Sequence, residues 1–128
     1  MAGLEKILYV EDEPRIQFVT KMSLERIGGF TVETCGTGSE AIEAAPGFRP
    51  DLVLLDVRLP GLSGPETYVE FRKIPGCEDT PVVFMTANVM KEDIEQYRAM
   101  GVVDVIAKPF EPLALIERLR EIWAQAHE

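Results

Sequence analysis

Arg49-Pro50-Asp51-Leu52-Val53-Leu54-Leu55-Asp56-Val57-Arg58-Leu59-Pro60-Gly61 is the stretch that decides the fold. Leu52 to Leu55 form an unbroken apolar run between a Pro-Asp turn and a Pro-Gly turn. So short a run, bounded on both sides, reads as a strand buried on both faces, as in a parallel sheet. It ends in an acid, Asp56, just where the strand leaves the core. The carboxyl ends of the strands in an open parallel sheet line the ligand crevice, so Asp56 stands where chemistry is usually done.

Upstream, Lys6 to Val10 is a second apolar run, and it too ends in acids: Glu11, Asp12 and Glu13. Pro14 suits the first turn of a helix, where its missing N–H costs nothing. That helix is expected to reach Ile27, with Ile16, Thr20, Ser23, Leu24 and Ile27 on its inward face, before Gly28-Gly29 stop it. Phe30 to Cys35 alternate as a strand, and a short helix through Ala45 is expected to end at Pro46-Gly47. Downstream come a helix from Pro65 to Lys73, a strand from Pro81 to Met85 ending in Thr86-Ala87, and a helix from Lys91 to Met100. Gly101 caps that helix. Val102 to Ala107 form the last strand, ending at Lys108-Pro109-Phe110, and Glu111 to Ala126 the last helix, buried through Leu115, Ile116, Leu119 and Ile122.

Five strands alternating with five helices make an α/β chain, and right-handed crossovers force helices onto both faces of a doubly wound parallel sheet. The flavodoxin-like order 2-1-3-4-5 puts strands 1 and 3 side by side at the switch point. Glu11, Asp12 and Asp56 then meet there, with Thr86 and Lys108 arriving on neighbouring strand ends.

The 128 residues, 46% apolar, are enough for one domain with a proper core. The net charge of −9 argues against direct nucleic-acid binding. No apolar run approaches the roughly 18 residues of a membrane span. The first residues lack the features of a signal peptide, and Cys35 and Cys77 fit neither a metal site nor a disulfide scaffold. A cytoplasmic protein with reduced thiols is the expectation.

Three crowded carboxylates repel and hold a proton among them unless a cation intervenes. Hard oxygen ligands with room for water suit Mg²⁺. A carboxylate can itself attack phosphorus to give an aspartyl phosphate. Phosphoryl transfer needs positioning and positive charge, which Mg²⁺, the Lys108 ammonium and the Thr86 hydroxyl would supply. Ala87 is small enough to leave the phosphoryl group an approach.

Val10-Glu11-Asp12-Glu13-Pro14, Leu55-Asp56-Val57-Arg58-Leu59-Pro60-Gly61, Thr86-Ala87 and Lys108-Pro109-Phe110 together resemble the response-regulator receiver domain of bacterial two-component signalling, in its single-domain, chemotaxis-regulator-like form. The likeness covers residues 6–123 of a single receiver domain spanning 1–128. It implies that Asp56 accepts a phosphoryl group from a phosphohistidine on a histidine kinase or histidine phosphotransfer protein, the output being protein–protein contact. It implies that Asp12 and Asp56 bind Mg²⁺ with the backbone carbonyl of Arg58, that Glu11 acts through water, and that the Lys108–Pro109 bond is cis. Turnover would be confined to the domain's own phosphorylation and dephosphorylation.

Three positions depart from the commonest receiver pattern. Glu11 replaces an aspartate, Arg58 puts a long cation at the rim of the site, and Val105 stands where many receivers carry an inward-turning aromatic ring. The partner is expected on the first helix, where Arg15, Val19, Met22 and Arg26 share a stripe with Phe18 at its edge and Phe110 in the neighbouring loop. Three rival readings stand beside this one. An aspartyl phosphatase commonly carries a second acid two residues after its nucleophile, and Arg58 stands there. A nucleotide- or flavin-binding module needs a glycine-bearing cradle after strand 1, where this chain is acidic. A receiver-like scaffold that works without phosphorylation does not require the intact set of Asp12, Asp56, Thr86 and Lys108.

Overall fold

The computed structural model describes residues 3–88 and 90–127. The elements run β1 (Lys6–Val10), α1 (Pro14–Arg26), β2 (Thr31–Cys35), α2 (Gly38–Phe48), β3 (Leu52–Asp56), α3 (Gly64–Arg72), β4 (Val82–Thr86), α4 (Lys91–Met100), β5 (Asp104–Ala107) and α5 (Pro112–Ala126). The strands pair in parallel in the order β2-β1-β3-β4-β5.

Side chains alternate across a strand, so each central strand feeds two cores. Ile7, Tyr9, Leu52, Leu54, Val83 and Met85 meet Leu24 of α1 and Leu115, Ile116, Leu119 and Ile122 of α5 on one face. Leu8, Val10, Val53, Leu55, Val82 and Phe84 meet Ala41 and Ala45 of α2 and Tyr68 and Phe71 of α3 on the other. Two-sided burial explains why β1, β3 and β4 read as apolar runs. Edge strand β2 alternates between exposed and buried positions.

Two expectations about helices need correction. Helix α2 does not end at Ala45 but continues through Pro46 and Gly47 to Phe48, and the chain turns at Arg49 with φ 55°. The Lys6 ammonium donates to the Phe48 carbonyl at 3.0 Å, a cationic cap on the last turn. Helix α1 is also rotated from its expected setting. Thr20 and Leu24 are buried as expected, but Ile16 is 37% exposed and Ile27 54%. The inward stripe is Gln17–Thr20–Leu24, spaced i, i+3, i+7, and Gln17 turns in because its amide reaches backbone carbonyls at the sheet edge.

The loop after β3 is held against the strand it leaves. Gly64 donates its N–H to the Val57 carbonyl at 2.8 Å, and a Cβ on Gly64 would lie 2.5 Å from the Asp56 carbonyl oxygen. Those neighbours are backbone and cannot swing aside. Gly64→Ala is therefore expected to lower stability by about 1–3 kcal/mol in urea unfolding. A Cβ on Gly47 in α2 would meet nothing within 4 Å, and Gly47→Ala is expected to be neutral or to gain up to about 1 kcal/mol. Equal losses at both positions would contradict this packing.

Candidate functional site

The carboxyl ends of β1, β3, β4 and β5 open on a cleft of about 340 Å³ lined by Glu11, Asp12, Glu13, Ile16, Asp56, Arg58, Thr86, Ala87 and Lys108. All five residues expected to do chemistry, Glu11, Asp12, Asp56, Thr86 and Lys108, thus share one pocket. Asp56 is 5% exposed and Glu11 1%, whereas Asp12 stands in solvent. Backbone bonds carry the sheet into the cleft: Val57 N–H donates to the Met85 carbonyl and Lys108 N–H to the Thr86 carbonyl, both at 2.9 Å.

Lys108 is the centre of the charge arrangement. Its ammonium lies 2.8 Å from Asp56 Oδ2 and 2.9 Å from Glu11 Oε1. The other Asp56 oxygen, Oδ1, accepts from Arg58 N–H at 3.1 Å. Glu11 Oε2 accepts from Glu13 N–H at 3.3 Å, and the buried Tyr9 hydroxyl approaches Oε1 at 3.5 Å. Burial is the largest influence on the Glu11 carboxyl and pushes its pKa up. The Lys108 hydrogen bond opposes that shift and the Asp56 charge adds to it. Burial works against the Lys108 ammonium, but bonds to Asp56 and Glu11 outweigh it and its pKa is raised. The Lys108–Pro109 peptide bond is cis, as the resemblance implies.

One oxygen each from Glu11, Asp12 and Asp56 lies within 4.8 Å of the others. Opposite oxygens of a Mg²⁺ octahedron stand about 4.2 Å apart, and the ion usually keeps several waters. The three carboxylates therefore suit a small hard cation that takes part of its shell from water. With all three carboxylates ionised against one ammonium, the surplus is a double negative charge, which a divalent ion would cancel.

Thr86 is buried, and its hydroxyl is engaged away from Asp56. It accepts from Asn88 N–H at 3.0 Å and donates to the Asn88 carbonyl at 3.2 Å. Val105 pairs with Phe84 across β4 and β5. The ring packed there comes from α4: Tyr97 meets Phe84 edge to face, with centroids 5.1 Å apart.

The family model for the response regulator receiver domain matches residues 7–120. The chain belongs to the response regulator receiver family. Receiver domains of this family act as phosphorylation-activated switches, partner with histidine kinases or phosphotransfer proteins, and generally bind Mg²⁺ at an acidic pocket. Among solved structures, the chemotaxis protein CheY4 of Vibrio cholerae is similar, with TM-score 0.87 and 28% identity over 94% of this chain and 99% of that one. The receiver domain of sensor histidine kinase PA1611 from Pseudomonas aeruginosa, solved with a magnesium ion coordinated in its active-site cleft, matches at TM-score 0.82 and 35% identity, covering 97% and 99%. The DNA-binding response regulator MtrA of Mycolicibacterium smegmatis is 36% identical over 91% of this chain and 49% of its own. This receiver chain thus spans about half the length of the curated relatives it matches. No helix among the described residues is long and apolar enough to cross a membrane.

Sequence reading missed Gln17, the Tyr9 hydroxyl and Asn88, because each acts through hydrogen bonds whose partners the sequence does not name. It also missed Asp104, buried between Arg98 of α4 and Arg118 of α5.

The Glu11 shift fixes a sign for pH dependence. A carboxyl whose folded pKa is raised binds its proton more tightly in the native state. Its contribution to stability is present at low pH and is lost as pH rises from the ordinary carboxylate range through the folded value. In metal-free protein, denaturant unfolding across pH is expected to show this decline, and Glu11→Gln to flatten it relative to wild type. Parallel profiles for the two proteins would contradict the assignment.

Proposed function

We propose that Asp56 is the phosphoryl acceptor of this receiver and that Mg²⁺, held by Asp12, Asp56, the Arg58 carbonyl and, through water, Glu11, neutralises charge during transfer. The observation that carries the reading is the Asp56 carboxylate, buried at the end of β3 and bonded to Lys108, in a cleft shared with Glu11, Asp12 and Thr86. An Asp56 oxygen attacks the phosphorus of a phosphohistidine. The P–N bond breaks, and the imidazole leaves with its electron pair and takes up a proton. Lys108 is already within bonding distance of Asp56 and balances charge on the acyl phosphate. The Thr86 hydroxyl donates to a phosphoryl oxygen once it gives up its bond to the Asn88 carbonyl. The Arg58 side chain, exposed at the rim, stands where water approaches the acyl phosphate.

The phosphodonor, a histidine kinase or histidine phosphotransfer protein, docks on α1 and the loop after β5. An apolar groove of about 620 Å³ runs between Arg15, Ile16 and Val19 on one side and Ala87, Lys108, Pro109 and Phe110 on the other. Phe18 is 63% exposed and Val19 54%, with Met22 beside them. Phe110 is half-buried and packs partly on the α1–α5 core, so it supports the groove as well as lining it. A lysine from the active cleft lines this groove too, which brings a docked donor to the edge of the site.

Incubation with a small phosphodonor and Mg²⁺ is expected to add one phosphoryl group by intact mass, and Asp56→Asn to abolish the gain. Labelling that survives in Asp56→Asn would overturn the assignment. Val19→Ala and Met22→Ala remove exposed side chains, so stability is expected to stay within about 0.5 kcal/mol. Both are expected to slow transfer from a phosphorylated partner while sparing labelling by the small donor. Unchanged transfer from the partner would put docking elsewhere.

A further inference from the structure

Asp12 is exposed and makes no side-chain hydrogen bond among the described residues. The peptide units on either side of it are both gripped. On the far side, Glu13 N–H donates to Glu11 Oε2 at 3.3 Å. On the near side, the Glu11 carbonyl accepts from Gln17 Nε2 at 2.9 Å. The same Gln17 amide reaches the Cys35 carbonyl at 3.3 Å, and that carbonyl also accepts from Glu11 N–H at 3.0 Å.

We infer that Gln17 is a positioning residue for the metal-binding segment, gripping from α1 the peptide unit that joins Glu11 to Asp12. The inference rests on the reading of Glu11, Asp12 and Asp56 as a Mg²⁺ site. A peptide unit is planar, so fixing the Glu11 carbonyl fixes the plane from which Asp12 departs. Among the described residues no other side chain donates to that carbonyl. The second grip depends on the Glu11 carboxylate, which is itself drawn to a cation; the Gln17 grip uses no charged group and survives metal binding. The cost of reorienting Asp12 is thereby met in folding, before the ion arrives.

The arrangement also explains the rotation of α1. Turning Gln17 inward to reach two carbonyls places Ile16 outward, in both the active cleft and the apolar groove. A bond that is satisfied only when α1 sits at this angle connects the helix to the ligand segment.

The test is calorimetric titration of Mg²⁺ into the full chain as wild type, Gln17→Met and Gln17→Asn, in the cold where folded protein is being titrated. Methionine keeps the length and loses the donor; asparagine keeps the amide and is one methylene short. Supporting residues around metal ligands typically hold about 10–100-fold in affinity, so both variants are expected to weaken Mg²⁺ binding by about tenfold. A Kd unchanged in either folded variant, even with a lower metal-free melting temperature, would mean that Gln17 only pins α1 to the sheet, and would overturn the inference. Failure of both to fold would do the same. A wild type that binds no Mg²⁺ would instead overturn the metal site and the inference with it.

Discussion

The Lys108 ammonium, held between Asp56 and Glu11 in a largely buried cleft, is the interaction on which the rest of the site depends. Two carboxylates of almost no exposure at adjoining strand ends would otherwise repel each other in a poorly solvated place. Burying such an ion group is costly, and removing one partner from it typically loses about 3–5 kcal/mol. The parallel sheet supplies the geometry, since β1 and β3 are neighbours and their ends lie side by side. The backbone bond from Lys108 N–H to the Thr86 carbonyl ties the end of β5 to β4 and brings the ammonium in. One cation cannot balance three acids, and the surplus negative charge is the basis on which a divalent ion is proposed as the second.

Helix α1 serves this centre on one face and the solvent on the other. Its inward stripe carries Gln17, Thr20 and Leu24; its outward side carries Arg15, Phe18, Val19 and Met22. An apolar surface with basic neighbours stands out on a chain of net charge −9, which is why the donor protein is proposed to dock there. The groove shares Lys108 and Ala87 with the acidic cleft, so the proposed docking surface adjoins the proposed phosphorylation site.

Much of this was legible in the sequence, for definite reasons. Apolar runs ending in Glu11-Asp12, Asp56, Thr86 and Lys108 mark strand ends, and the alternation of strands with helices allows few topologies. That order alone brings Glu11, Asp12, Asp56, Thr86 and Lys108 to one edge of the sheet, where they line one cleft. The setting of α1 was not legible, because Ile16 and Ile27 are more apolar than Gln17 and a hydrophobic count turns them inward. Two backbone carbonyls at the exits of β1 and β2 decide the matter instead, and carbonyls have no letter in the sequence. The extent of α2 was hidden in the same way: Pro46-Gly47 reads as a stop, but Lys6, far off in the chain, caps the helix beyond it. Val105 announced a missing ring, while the ring that packs on its β4 neighbour Phe84, Tyr97, comes from a different element.

The central claim is that Glu11, Asp12 and Asp56 form a site whose surplus negative charge a divalent cation relieves. Thermal unfolding with and without millimolar Mg²⁺, in wild type and in Asp12→Ala, tests it most directly. A ligand bound only by the native state stabilises it by mass action, by about 2.7 kcal/mol at a hundred times its Kd. The account predicts a higher melting temperature for wild type in Mg²⁺ and loss of most of that gain in Asp12→Ala. A wild type indifferent to Mg²⁺, or an equal gain in Asp12→Ala, would contradict it.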